Sequence, residues 1–95
     1  MITTNLEIGG LVATAGVDAW IRKSPEVRGS GVAVSLAKHV TGDWGDLCDE
    51  DKAANDYAAT HDERVLSAYT VDGEKIWIIT EHDRSVTTIL FPEEY

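Results

Sequence analysis

The run Lys75-Ile76-Trp77-Ile78-Ile79-Thr80 is apolar at nearly every position. Such a run marks a strand covered on at least one face and suits one covered on both. The segment before it, Arg64 to Val71, alternates in the manner of a half-buried strand, and Asp72-Gly73 between the two is a strong hairpin signal. A two-residue loop sets the register: Tyr69 opposite Ile76, Ser67 opposite Ile78, Val65 opposite Thr80. Leu66, Ala68, Trp77 and Ile79 then share the other face. A second turn at His82-Asp83-Arg84 returns the chain as Val86 to Phe91, and Pro92 ends that strand. The C-terminal third is thus expected to be a three-stranded antiparallel meander. Helices should cover one face, leaving the other for the N-terminal segment or a partner.

The preceding residues supply the cover. Leu6 to Thr14 reads as an extended segment, broken or bulged at Gly9-Gly10. Thr14 caps a short helix with Val17, Trp20 and Ile21 on one face, and Ser24-Pro25 ends it. Glu26 to Gly31 reads as a polar connection. Ser30 then caps a second helix, Val32 to Thr41, stopped by Gly42. Asp49 is the expected cap of a third helix, reaching Thr60, whose stripe of Ala53, Ala54, Tyr57 and Ala58 is thin. The expected fold is α+β: an antiparallel sheet of three or four strands with about three helices mainly on one face, in one domain over residues 1–95.

A hydrophobic share of 43% and a charged share of 26% are globular values and argue against disorder. The single cysteine, Cys48, excludes an internal disulfide and a cysteine-based zinc site, which fits a reducing cytosol. Met1 to Glu7 lacks the basic start and apolar core of a secretory leader, and the uncharged run Ile8 to Val17 is too short to span a bilayer. A cytoplasmic protein with no membrane role is expected. The net charge of −9 leaves no surplus of lysine and arginine to displace phosphate counterions, so direct nucleic-acid binding is not expected. That charge serves solubility, or a surface for a basic partner.

Two polar clusters precede the first and third strands of the meander: His61-Asp62-Glu63-Arg64 and Glu81-His82-Asp83-Arg84. Those strands run the same way, so both clusters fall at one end of the sheet, within about 10–15 Å given strands roughly 4.8 Å apart. His61, Arg64, Glu81, Asp83 and Arg84 are therefore the candidates for acid–base or phosphate chemistry. The plainer reading is a solvated rim, with Glu81 paired to Arg64 or Arg84. The second candidate is acidic: Asp43, Asp46, Asp49, Glu50 and Asp51 place five acids in nine residues without a base. Asp43, Trp44, Asp46, Glu50, Asp51 and Asp56 are the expected protein-binding surface, with Trp44 the most exposed of the three tryptophans. The spacing matches no calcium loop, and His39, His61 and His82 are not at metal-ligand spacing, so no metal or cofactor is expected. Cys48 among acids is not an activated nucleophile.

With these residues in view, the chain resembles a small bacterial family carried on plasmids, integrative elements and phages. The likeness rests on Lys38-His39, on Gly42 to Asp46, on Arg64 to Tyr69, Lys75 to Glu81 and Asp83 to Leu90, and on the ending Pro92 to Tyr95. His82 departs from the pattern. Family members are described as plasmid-related and sometimes as restriction–modification methylase subunits; this chain carries no methyltransferase motif. The resemblance implies a mobile-element setting and no activity. The expected function is an accessory protein that binds another protein, in its sharpest form an acidic mimic of DNA directed at a nucleic-acid-binding defence protein. The alternatives are a small enzyme or nuclease-like toxin using the polar rim, and a homodimer joined through the second sheet face.

Overall fold

The hairpin places the rest of the molecule. In the computed structural model, which describes residues 5–95, β2 (Val65–Val71) and β3 (Glu74–Thr80) pair antiparallel with Tyr69 opposite Ile76, Ser67 opposite Ile78 and Val65 opposite Thr80. Met1 to Thr4, part of the stretch read for a leader, lie outside the described residues. Asp72 and Gly73 both have positive φ, 49° and 78°, as a two-residue type I′ turn demands. β4 (Val86–Leu90) completes the meander against β3.

The fourth strand corrects the expected topology. β1 (Gly10–Ala13) lies beside β4 and runs parallel to it, giving the order β1-β4-β3-β2 in a mixed sheet. The N-terminal segment therefore extends the sheet at its edge rather than covering the second face. Upstream of it, Leu6 is buried and donates its N–H to the carbonyl of Val40.

Three helices link β1 to the meander. α1 (Ala15–Lys23) starts at Thr14, whose hydroxyl accepts from the Val17 N–H. α2 is longer than expected, Pro25–Thr41. Pro25 ends α1 but opens α2 at once, because a first-turn residue needs no N–H donor and its φ is already helical. Ser30 is thus internal to α2, not its cap. Gly31 serves packing: a Cβ there would collide with the Val71 side chain, so glycine lets the helix lie close on β2. Gly42 ends α2 as expected, with the Asp43 N–H reaching back to the Lys38 carbonyl. α3 (Asp49–Thr60) is capped by Cys48 rather than Asp49, and without a side-chain bond; Asp49, Glu50 and Asp51 sit in its first turn, where the helix dipole favours them.

The main core lies between the helices and one sheet face: Val17 and Val32 against Tyr69, Val71, Ile76, Ile78 and Ile89. Ile76 and Ile78 are completely buried, each worth about 1.5–3 kcal/mol of transfer free energy. Arg28 ties the layers together. Its guanidinium lies over the Trp20 ring, donates to the Trp20 carbonyl and pairs with Asp72 in the hairpin turn at 2.8 Å. On the second face Ala68, Ile79 and Leu90 are buried, and Trp77 meets Tyr95 edge to face. Tyr95 follows a single 3-10 turn, Pro92–Glu94, so the C-terminus supplies part of the cover expected from elsewhere.

Candidate functional site

The turns that end β3 and begin β2 bring the polar rim together, and its members are already occupied. Arg64 pairs with Glu81 at 3.6 Å and donates to the Tyr95 hydroxyl at 2.6 Å, lying over that ring. Arg84, in left-handed backbone at φ 61°, donates to the carbonyls of Glu63, Glu81, Ala58 and Ala59. It closes the C-terminal end of α3 as a cation should. His61 stacks on Tyr57 at 3.7 Å and lies 2.8 Å from the Tyr57 carbonyl. Hydrogen bonds from the Ser85 side chain first, and from the Ser85 N–H second, lower the Asp83 pKa. The concavity at this rim, about 310 Å³, takes only Asp62 and Arg84 from the two clusters and is otherwise lined by Asn5, Leu6, Glu7 and Ala59. The geometry is that of a braced rim, with guanidinium groups committed to carbonyls and a carboxylate.

The acidic residues lie along the other boundary of the sheet, where the loop after α2 and α3 itself run beside β2. Trp44 is 3% exposed, which corrects the expectation of an exposed aromatic. Its indole packs with Leu6, Ala58 and Val65, meets His39 edge to face, and donates to Asp56 at 2.9 Å. Asp43 accepts the Gly45 N–H through its carboxylate, and its backbone carbonyl accepts from Tyr69 at 2.7 Å. Burial pushes that Tyr69 phenol up to about 12, so the hydroxyl stays a donor. Asp46 accepts from the Thr70 hydroxyl. Asp43, Asp46 and Asp56 therefore brace the loop, while Glu50 and Asp51 are exposed in the first turn of α3.

This loop and α3 also close the β2 edge. Asn55 uses its amide to satisfy both the N–H and the carbonyl of Leu66, and Ala68 bonds to the Trp44 carbonyl and the Asp46 N–H. Beyond them a groove of about 470 Å³ runs between α2 and β2, with Val27, Val34, Lys38, Thr70 and Asp72 among its lining residues.

A second polar constellation escaped the sequence reading. His39 is completely buried, with Nδ1 at 2.5 Å from Ser67 Oγ and Nε2 at 2.8 Å from Thr80 Oγ1. Thr80 Oγ1 lies 2.7 Å from Thr87 Oγ1, which donates to the Ile8 carbonyl at 2.8 Å. One arrangement of protons satisfies every contact. Thr87 gives its proton to Ile8, so it accepts from Thr80; Thr80 then accepts from His39 Nε2–H, and His39 Nδ1 accepts from Ser67. Burial first, and the charge of Arg84 second, lower the imidazole pKa to about 4. His39 is thus a neutral relay joining α2, all three meander strands and the N-terminal segment. The available signal was the phase of the polar residues: Ser67, Thr80 and Thr87 stand at the inward positions of their strands.

Among the described residues no group of three His, Cys, Asp or Glu side chains is placed to hold a metal ion, and no helix is long and apolar enough to cross a membrane. Comparison of the chain with protein-family models, with curated proteins and with solved structures finds no match.

Proposed function

We propose that the protein is an accessory factor of a mobile genetic element that works by binding another protein, presenting the α3 side of the domain to a basic, nucleic-acid-binding partner as a substitute for DNA. The observation that carries this reading is the distribution of charge. Eight of the seventeen acids fall between Asp43 and Glu63 against one base, Lys52, so this stretch holds seven of the nine net negative charges. The three ion pairs among the described residues, Arg22–Asp18, Arg28–Asp72 and Arg64–Glu81, use none of those acids. The acids of α3 are Asp49, Glu50 and Asp51 in its first turn and Asp56 about 10 Å further along the axis, so the exposed negative charge is concentrated at the N-terminal end of the helix. The mobile-element setting rests on the family resemblance. The reading as an enzyme gains less support, because Arg64, Glu81 and Arg84 are engaged with the protein itself.

The test is capture from a bacterial lysate by the immobilised protein, beside a variant with Asp49→Asn, Glu50→Gln and Asp51→Asn. These three are chosen because Asp43, Asp46 and Asp56 brace the fold. DNA-binding proteins should be retained by the natural chain, released by added duplex DNA, and lost by the folded variant. Capture indifferent to both would overturn the proposal.

A further inference from the structure

The two edges of the sheet are treated differently. On the β2 edge, Asn55 covers Leu66, the Trp44–Asp46 segment covers Ala68, and Asp46 holds the Thr70 hydroxyl. The β1 edge has no such guard. Gly10 N–H reaches Ser85 and Thr14 N–H reaches Ile89, so Gly10 and Val12 direct their backbone groups to β4 while Leu11 and Ala13 direct theirs outward. Those outward groups have no protein partner among the described residues, and all four residues of β1 are exposed, Leu11 and Val12 at 48% each. β1 contains no charge and no proline, the residues that commonly blunt an open edge.

We propose that β1 is a self-association edge. Two copies pair their β1 strands antiparallel about a two-fold axis, Leu11 of each opposite Ala13 of the other and Val12 opposite Val12. This register lets every outward N–H and carbonyl of Leu11 and Ala13 find a partner at once, because the hydrogen-bonded pairs of an antiparallel ladder must join outward-facing residues. It stacks the two Val12 side chains on the second sheet face and sets each Leu11 beside an Ala13 on the helix face, since Val12 is in register with Thr88 and Leu11 with Thr87.

Charge leaves the β1 edge open to a second copy. A chain of net charge −9 repels its twin, yet Ile8 to Val17 is free of ionisable side chains, and the carboxylate that reaches this segment, Glu94, is held by the Thr14 hydroxyl and the Phe91 N–H. The acid-rich stretch lies at the far edge, beside β2, three strands from the seam. At roughly 4.8 Å per strand the two acidic sides stand about 30 Å apart across the joined sheet, well beyond the ~8 Å screening length at physiological salt. A four-residue strand contributes less than a standard-sized interface, so the dimer is weak and concentration-dependent. The contact is independent of the acidic side and leaves it free.

Sedimentation of the full chain over a concentration series tests this. The natural chain should pass from monomer to dimer, and a Leu11→Lys, Val12→Lys variant with an unchanged far-ultraviolet circular dichroism spectrum should remain monomeric throughout. A cross-linking arm reads the register. With Cys48→Ser removing the exposed native thiol, Val12→Cys should oxidise to a disulfide dimer. Directly opposed residues of a non-hydrogen-bonded pair lie about 4.5 Å apart at Cα, inside the disulfide range. Leu11→Cys in the same background should cross-link at least tenfold more slowly, since its opposite number is Ala13. A natural chain that stays monomeric, a dimer that survives the lysine substitutions, or equal cross-linking at the two positions would each overturn the proposal.

Discussion

The imidazole of His39 on α2 and the hydroxyl of Thr80 on β3, 41 residues apart in the chain, meet at 2.8 Å with no exposed surface on either side chain. This contact makes stability depend on pH. The unfolded imidazole titrates near 6.5 and the folded one near 4. Between those values the unfolded chain holds a proton that the folded chain refuses, so stability falls as pH falls. The contribution is complete above about pH 6.5 and its loss reaches about 3 kcal/mol by pH 4. Urea denaturation at a series of pH values, beside His39→Gln, isolates it from carboxylate effects. The stability advantage of the natural chain over the variant should shrink steadily below pH 6.5.

Gly73 has φ 78° and open space where a Cβ would stand, so a substitution there meets backbone strain and no collision. Gly73→Val should lower stability by about 1 kcal/mol or more, seen as a lower denaturation midpoint. Gly73→Asn should lose less, because asparagine tolerates left-handed backbone.

The two rim arginines should behave differently although they sit at the same end of the sheet. Arg64 is exposed, and its pair with Glu81 is worth roughly 0–1 kcal/mol. Arg84 is half-buried and serves four carbonyls, so Arg84→Ala should cost about 1–3 kcal/mol. Equal thermal shifts for Arg64→Ala and Arg84→Ala would contradict the bracing role given to Arg84.

These contrasts mark what could be read along the chain. The hairpin register was legible because Asp72-Gly73 is a local turn signal, and a two-residue loop there puts Tyr69 and Val71 on the same face as Ile76 and Ile78. The start of α2 was misread because Gly29 and Gly31 look like breakers, whereas Gly31 answers a close approach to Val71, forty residues away in sequence. The parallel partner of β1 was not legible, since nothing local tells a four-residue segment which distant strand will receive it. At the rim, the Glu81–Arg64 pair was legible from strand direction, but the four carbonyls that hold Arg84 depend on where α3 ends in space. Trp44 looked exposed for the same reason, its cover of Leu6, Ala58 and Val65 coming from three distant segments.

The members of the buried relay share their stabilisation. Thr80→Val removes the acceptor of His39 Nε2–H and the donor to Thr87, leaving buried polar groups unsatisfied at a cost of about 1–3 kcal/mol. His39→Leu removes the partner of both Ser67 and Thr80 and should cost a similar amount or more. The double variant should cost less than the two single changes together, because the second substitution removes a group that the first has already orphaned. Chemical denaturation of the four proteins in a double-mutant cycle gives the coupling, expected at about 0.5–3 kcal/mol. Additive losses would mean that His39 and Thr80 are held by their separate surroundings, and the single proton order inferred for the chain from Ser67 to Ile8 would fail with them.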